Sequence, residues 1–486
     1  MAKIPPGYEG RELTKLILSR RGKVRNTWTL PKHRGKLLPF ATDRISIFDF
    51  VLPALVRQKG AVLTAMNVFW RQFFSGIFEH DLVAFGAGID EYLPEGLRGD
   101  PELQAVATVI RRCKMLPVEG VVRGYLTGSA VGPYLKEGII CGHRVPAGLH
   151  DGSELPYHLF TPTSKAKKGH DLHISADSVA EKYGFWLERL ALQAYTMARQ
   201  YAISRGIILV DTKLEVALRI LADELFTPDS SRFWEYMAWV EAQRKGKLPP
   251  SFDKQFVREW GKSVGIDKLK DPDDPDQLAQ VHSQAVPQEV LDMTTRIYRY
   301  IFWRLVGMKL EAFQKEKMGI AVQLPSVNVD VVLGSRSDLE KLHGSIHFHE
   351  RLKAAGRFRL HIISCDRNPD ELRRYAQDLS GTDVIVAGAG LAARLPGSLK
   401  SWLDHYGKSV PVIGVGFEGP SRDADDAARL SIEQLPGQTV ELDDHGHAYF
   451  GWDGFVAAMK AALYNEFLPR RNAVKTAEPN IPIPTE

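Results

Sequence analysis

A charged triplet follows directly on an apolar run: Gly206 to Val210 (GIILV) leads into Asp211-Thr212-Lys213-Leu214-Glu215. If the strand continues, its period of two puts Asp211, Lys213 and Glu215 on one face. Three such charges are costly to bury without partners. A triphosphate with Mg2+ would supply them, since hard cations take carboxylate oxygens and lysine neutralises phosphate; ordinary ion pairs on a solvent-facing strand would also serve. Asp223, in Leu221-Ala222-Asp223-Glu224, reaches the same point from a neighbouring strand. Upstream, Arg20-Arg21-Gly22-Lys23-Val24-Arg25 sets a glycine among cations. Glycine lets backbone N–H groups approach phosphate oxygens and lysine adds a point charge, although a solvated basic turn has the same composition. Arg123-Gly124-Tyr125-Leu126-Thr127-Gly128-Ser129 and Asp229-Ser230-Ser231-Arg232 each join arginine to hydroxyl or glycine residues. They read as polar turns or, together, as a second anion site.

The elements that must position these residues change character near residues 318 to 328. Before that point, short β-rich runs alternate with Gly, Pro, Ser and Thr-rich loops. One long helix is then predicted from Pro287 to about Lys315, because Val290, Leu291, Ile297, Ile301, Phe302, Leu305 and Leu310 recur at helical spacing. After the connector MGIAVQLPSVN the pattern is strand, loop, helix: VNVDVVLG, then a helix over Asp338 to Ala355, LHIIS, a helix over Pro369 to Leu379, TDVIVAGAG, a helix over Leu391 to His405, and SVPVIGVG. Near-continuous apolar strands separated by helices predict a parallel sheet covered on both faces. The fold class is α/β: an α+β unit over 1–320, a three-layer α/β/α unit of Rossmann-like or flavodoxin-like type over 328–470, and an extended Pro-rich tail over 471–486. In the second unit Gly334-Ser335-Arg336-Ser337-Asp338 ends a strand and opens a helix. Its N–H groups and hydroxyls suit phosphate, or Ser337 or Asp338 serves only as an N-cap.

Composition bounds the function. A chain of 486 residues implies roughly two to four domains. Hydrophobic residues at 44% and charged residues at 25% exclude a mostly disordered or membrane-embedded chain. A net charge of +4 is too small for a protein that tracks a nucleic acid, so small-molecule partners are expected. Cys113, Cys141 and Cys365 form no CxxC pair, which argues against a disulfide framework or zinc knuckle. MAKIPPGYEG lacks a signal-peptide core and no stretch reaches the roughly 18 apolar residues of a span. A cytoplasmic setting without membrane contact is expected. His343 and His347, at i, i+4 spacing with His349 beyond, read as a solvated helix face rather than a metal pair, and Trp234, Trp260 and Trp303 as core.

Seven segments carry a resemblance: PFATDRISIFDFVLP (39–53), KGAVLT (59–64), VVRGYLTGS (121–129), LFTPTSKAKKGHD (159–171), RGIILVDTKLE (205–215), TPDSSRFW (227–234) and SFDKQFVREW (251–260). In this order they resemble the SAICAR synthetases, the ATP-dependent phosphoribosylaminoimidazole-succinocarboxamide synthases of purine biosynthesis. The resemblance implies that carboxyaminoimidazole ribonucleotide, L-aspartate and ATP are joined through an acyl phosphate to give SAICAR, ADP and phosphate. It implies that Gly22, Lys23 and Arg25, with Asp211 and Lys213, bind ATP, and that Glu215 and Asp223 hold Mg2+ beside Lys213 as the catalytic set. Arg123, Ser129 and Arg232 would take the ribonucleotide 5′-phosphate. Asp43, Arg44 and Ser46, with Lys254, Gln255 and Arg258, would line the place where the imidazole carboxylate meets aspartate. A phosphotransferase acting on a hydroxyl acceptor is the rival class. Three departures stand out: the usual GHDENIS reads Gly169-His170-Asp171-Leu172-His173-Ile174-Ser175, the usual acid after GKVR is Asn26, and the stretch from Glu215 to Asp223 is short and lacks Gly, Pro or Asn to mark a turn.

The loop at Gly334, together with SCDRNPDEL (364–372) and AGAGLAARLPG (387–397), resembles the phosphoribosylaminoimidazole carboxylase catalytic subunits. That resemblance implies a ligand loop of Gly334, Ser335, Ser337, Asp338, Ser364, Asp366, Arg367 and Arg394, and homo-oligomers built through this unit. The family's usual SAHRTP reads Ser364-Cys365-Asp366-Arg367-Asn368-Pro369, and its usual GGAAHLPG reads Gly390-Leu391-Ala392-Ala393-Arg394-Leu395-Pro396-Gly397. Both histidines are replaced. Moving CO2 on and off a ring carbon calls for a group that shuttles a proton near neutral pH, a task suited to imidazole. Asp366 and Arg394 are expected to pair with one another, leaving this unit without carboxylation chemistry and with a role in assembly or ribonucleotide binding. A fully bifunctional protein is the alternative.

Overall fold

The computed structural model describes residues 3–165, 173–321, 328–342, 358–434, 440–443 and 446–464. Two compact units emerge, Met1–Val322 and Gln323–Glu486. The first contains a five-stranded antiparallel sheet in the order Ile17–Arg21, Arg25–Thr29, Lys36–Ala41, Thr108–Arg111, Leu82–Phe85. Its first hairpin closes where Gly22 N donates to Arg25 O at 2.7 Å; a Cβ on Gly22 would lie 2.8 Å from that oxygen, so the turn admits no side chain.

The second sheet of this unit is built around two long neighbours, Met115–Tyr125 and Ile207–Ala217. Glu154–Phe160 and Thr163–Ser164 pair with the former, Ile220–Ala222 and Ser231–Glu235 with the latter. The helix Trp186–Ser204 buries Leu187, Ala191, Ala194, Tyr195, Ala198 and Ala202, a stripe at helical spacing whose small residues permit close approach to the sheet. Tyr195 Oη donates to Leu209 O at 2.6 Å, and a Cβ on Gly124 would meet that hydroxyl at 2.4 Å. The single helix predicted over Pro287 to Lys315 is two, Gln288–Val306 and Leu310–Glu316. Gly307, at φ 75, ends the first by taking the left-handed conformation that closes many helices.

The short stretch between Glu215 and Asp223 is a hairpin despite its missing turn residues. Ala217 pairs with Ile220, so Leu218 and Arg219 alone connect the strands, and Arg219 adopts φ 57. Glu215 faces Ala222 in register, which brings Asp223 beside it.

In the second unit the strands run Phe358–Ile362, Val329–Leu333, Val384–Gly390, Val412–Phe417, Tyr449–Phe450 in space, all parallel. This 2-1-3-4-5 order is the flavodoxin-like one. Helices Pro369–Asp378, Leu395–His405 and Arg422–Glu433 bury Leu372, Leu399 and Ile432 on one face, while Gly451–Tyr464 buries Phe455 and Met459 on the other. The third helix begins at Leu395 rather than Leu391, which sits at φ 56. Of the helix expected over Asp338 to Ala355, Arg336–Glu340 is described; His343, His347, His349, most of the GHDLHIS stretch and the tail lie outside the described residues. Among the described residues no helix is long and apolar enough to cross a membrane.

Candidate active site

The two larger sheets of the first unit and the helix Lys59–Phe73 contribute to a cleft of about 870 Å³. Its lining divides by chemistry. Leu37, Leu63, Val106, Ile110, Met115 and Leu116 offer an apolar surface able to take a flat ring, whereas Lys23, Arg25, Lys213, Glu215, Asp223, Glu224, Asp229, Lys254 and Arg258 are charged.

Every carboxylate of that lining is in an ion pair. Asp223 is paired with Arg25, Glu224 with Arg25 at 3.0 Å, Glu215 with Lys165, and Glu119 with Lys213 at 2.5 Å. Asp229 is held by Lys59 at 2.6 Å, Asp49 by Lys23 at 2.6 Å and Asp81 by Arg71 at 2.7 Å. Burial, the largest influence, would raise the Asp223 carboxyl, but Arg25 together with Lys165, Lys213 and Arg71 outweighs it and the group is held below its ordinary range. Glu224 is pushed up by burial, and its Oε1 accepts no well-aligned hydrogen bond. Burial pulls Lys213 down, yet the Glu119 carboxylate, aided by Glu215 and Asp223, leaves it raised and firmly cationic. Lys254 is pulled down to about 8 by burial, and among the described residues neither Lys254 nor Arg258 has an ion-pair partner.

A second polar set lies on the same long strands. Arg123 donates to Ser129 Oγ at 2.9 Å, Thr161 Oγ1 at 3.1 Å and Asp211 Oδ2 at 3.0 Å, and Arg232 reaches the same Asp211 oxygen at 3.1 Å. Gly128, at φ 62, is required here: a Cβ would lie 2.5 Å from Arg232 Nη2. Two guanidinium groups and a hydroxyl thus converge as the sequence anticipated. Arg258 in the cleft lies close enough to feel the charges of Arg232 and Asp253, so the two sets are electrostatically continuous.

Besides Arg123, Ser129 and Arg232 of the second set, four expected residues lie outside the cleft lining. Asp211 shares its strand face with Lys213 and Glu215, but four residues of extended chain put it about 13 Å from Glu215, where it neutralises Arg123 and Arg232. Arg44 is fully buried and donates to the carbonyls of Tyr8, Glu9, Gly22 and Lys23 and to Asn26 Oδ1, so it fastens the glycine loop rather than meeting a ligand. Asn26, standing where an acid is usual, accepts from Arg44 at 2.8 Å and donates to Glu9 O at 3.0 Å. Asp43 accepts from the backbone N–H groups of Gln58 and Gly60 and fixes the start of the helix Lys59–Phe73. Gln255 opens the helix Gln255–Ser263, its N–H held by Asp253. Gly22, Lys23, Arg25, Ser46, Lys213, Glu215, Asp223, Lys254 and Arg258 all line the cleft.

The family model for SAICAR synthetase matches residues 18–274, the region that builds both sets. The chain belongs to the SAICAR synthetase family. It is therefore an enzyme, a phosphoribosylaminoimidazole-succinocarboxamide synthase and a ligase of purine biosynthesis. The synthase of Maridesulfovibrio salexigens is 37% identical over 311 residues, covering 62% of this chain and 97% of that protein. The Rhodococcus erythropolis synthase is 42% identical over 305 residues, covering 60% and 93%. Among solved structures, SAICAR-synthase from Saccharomyces cerevisiae complexed with SAICAR is similar at 34% identity and a TM-score of 0.53, covering 62% of this chain and 99% of that one. A second family model, AIR carboxylase, matches residues 328–446, so a SAICAR synthetase is here joined to a carboxylase-like α/β unit.

Sequence reasoning missed Glu119, Lys165, Glu224 and Asp229 of this SAICAR synthetase cleft, and Lys59, the buried partner of Asp229. Each sits within or beside a recognisable segment, but as single charges they carry no spacing signal; only the tertiary pairing marks them.

In the carboxylase-like unit, Ser335 caps the helix Arg336–Glu340, in place of the expected Ser337 or Asp338, and its hydroxyl also reaches Ser337 Oγ at 2.8 Å and Asp338 Oδ2 at 2.7 Å. Arg367 donates to Gly334 O at 3.0 Å, and Ser364 Oγ accepts from the backbone N–H groups of Asp366 and Arg367. Arg394 pairs with Asp366, as the sequence anticipated, and both side chains stay more than half exposed.

Proposed function

We propose that the first unit makes SAICAR by ATP-dependent ligation through an acyl phosphate. The observation that carries this is the matched set of carboxylates and cations in one cleft, continuous with a separate arginine site. A carboxylate is a poor acceptor for an amine and must first be activated; phosphorylation does this with little covalent work from the protein. ATP places its ring on the apolar lining and its phosphates near Lys23, Arg25 and Lys213, which exchange their carboxylate partners for phosphate oxygens. Asp223 is freed in that exchange, and Glu215 when Lys165, its own partner, also turns to a phosphate. Among the described residues no set of three or more acidic, histidine or cysteine side chains is gathered to hold a metal; two carboxylates fit Mg2+ that arrives with the nucleotide and keeps phosphate ligands. Such an ion supplies charge neutralisation at the transferring phosphoryl group.

Arg123, Ser129 and Arg232 take the 5′-phosphate of carboxyaminoimidazole ribonucleotide, and Lys254 and Arg258 hold carboxylates of the acceptor and of L-aspartate. Their anionic preference separates this reading from transfer to a hydroxyl. The test is isotopic: with the ribonucleotide carboxylate labelled by 18O, one labelled oxygen is expected in the inorganic phosphate of each turnover. Phosphate free of label would overturn the acyl phosphate.

The second unit, on this reading, keeps its fold without carboxylation. Asp366 is paired with Arg394, and the imidazoles suited to moving a proton here are absent from both positions. Its remaining work is homo-oligomer assembly or ribonucleotide binding, in the cytoplasm. The full chain, given aminoimidazole ribonucleotide with bicarbonate or CO2, is expected to form no carboxylated product above the uncatalysed rate. Enzyme-dependent turnover would restore the bifunctional alternative.

A further inference from the structure

Asp223 and Phe226 both have left-handed backbone, at φ 56 and φ 49, a conformation that non-glycine residues keep only where their surroundings impose it. The helix Lys59–Phe73 imposes it here. Asn67 Nδ2 and Arg71 Nη2 converge on one atom, Asp223 O, at 3.1 and 2.8 Å. Asn67 Oδ1 accepts from Leu225 N at 3.1 Å, and Trp70 Nε1 donates to Phe226 O at 3.2 Å. Arg71 is itself fixed: Asp81 Oδ1 accepts from its Nε at 3.1 Å and its Nη2 at 2.7 Å, with the two side chains 2% and 3% exposed, and its Nη1 donates to Asn67 Oδ1.

We infer that Asn67 and Arg71 are positioning residues for the metal–nucleotide site: acting through the backbone at Asp223, they fix where the Asp223 and Glu224 carboxylates enter the cleft. The inference rests on the reading of Asp223 as a metal carboxylate. A carboxylate that must meet a metal and a phosphate together tolerates little misplacement, and a left-handed residue without its carbonyl partners relaxes toward commoner backbone. Of the apolar residues offered to the nucleotide's ring, Leu63 alone lies on this helix, one turn from Asn67, and its side chain makes none of the clamp's hydrogen bonds.

Removing Arg71 would leave Asp81 buried and unpaired, so the informative variants are at Asn67. Asn67→Asp keeps an acceptor for Leu225 N and a partner for Arg71 but turns a lone pair toward Asp223 O; Asn67→Ala removes both contacts. Calorimetry of ADP binding to the full chain, once with Mg2+ and once with EDTA, gives the affinity gained from the metal. In the unaltered protein that gain is expected to be clear. In both variants it should fall by about tenfold while affinity in EDTA stays within twofold. Asn67→Asp should melt within a few degrees of the unaltered protein. Absence of any metal-dependent gain in the unaltered protein would sink the metal reading itself. A full gain retained in the variants, or an equal loss of affinity in EDTA, would overturn the positioning role.

Discussion

Glu215→Ala is expected to lower SAICAR formation from ATP, carboxyaminoimidazole ribonucleotide and aspartate by about a thousandfold while leaving the fold intact. The two halves of that expectation have separate causes. Glu215 sits on a strand paired on both sides, through Leu214↔Gly120 and Glu215↔Glu119 on one and Glu215↔Ala222 on the other, so the backbone does not depend on its side chain. Its present partner, Lys165, is 31% exposed, and losing the pair returns that ammonium to water at little cost. What is lost is a hard oxygen ligand at the point where charge develops during phosphoryl transfer, an effect worth several kcal/mol, and each 1.36 kcal/mol is tenfold. Steady-state assays should show the loss in kcat, with KM for the ribonucleotide changed less than threefold because Arg123 and Arg232 are untouched. A variant turning over at the normal rate would show that Glu215 does not serve the metal.

Much of this was legible in the sequence because the relevant signals are local. Alternating charges after GIILV put Lys213 and Glu215 on one face, and apolar strands separated by helices gave a parallel sheet covered on both sides. What local pattern does not encode is where along a shared face a charge ends up. Asp211 and Glu215 obey the same period of two, yet one serves the arginine site and the other the cleft. Arg44 carries the same chemistry as Arg25; only the five acceptors around it in the fold decide that it fastens a loop. The helix break at Gly307 was hidden by apolar spacing that resumes at Leu310. The hairpin at Leu218–Arg219 lacked its usual turn residues because the pairing of Glu215 with Ala222 and the clamp on Asp223 carry the constraint from outside.

Lys59→Met is expected to cost about 3–5 kcal/mol of stability, because it strips the cation from a buried pair. Lys59 is 0% exposed and Asp229 4%, with Tyr298 Oη donating to the second Asp229 oxygen. Burial by itself would raise the Asp229 carboxyl, but the Lys59 ammonium, with Lys254 and Tyr298, holds it down to about 2. A carboxyl depressed below the roughly 3.9 of an unfolded chain stabilises the fold fully above that value, and the contribution, about 2–3 kcal/mol, is lost as pH falls from about 4 to 2. Without Lys59 the sign reverses: burial then sets a folded value above the unfolded one, and acid should stabilise Lys59→Met relative to neutral pH. Urea denaturation at pH 7 and pH 4 tests both statements at once. The gap between the unaltered protein and the variant should narrow on acidification, and Lys59→Met/Asp229→Asn should recover most of the neutral-pH loss, since the double variant leaves neither member of this pair charged without the other. A gap that stays constant with pH would mean that the methionine disturbs packing alone, and that the Asp229 charge is neutralised by some group other than Lys59.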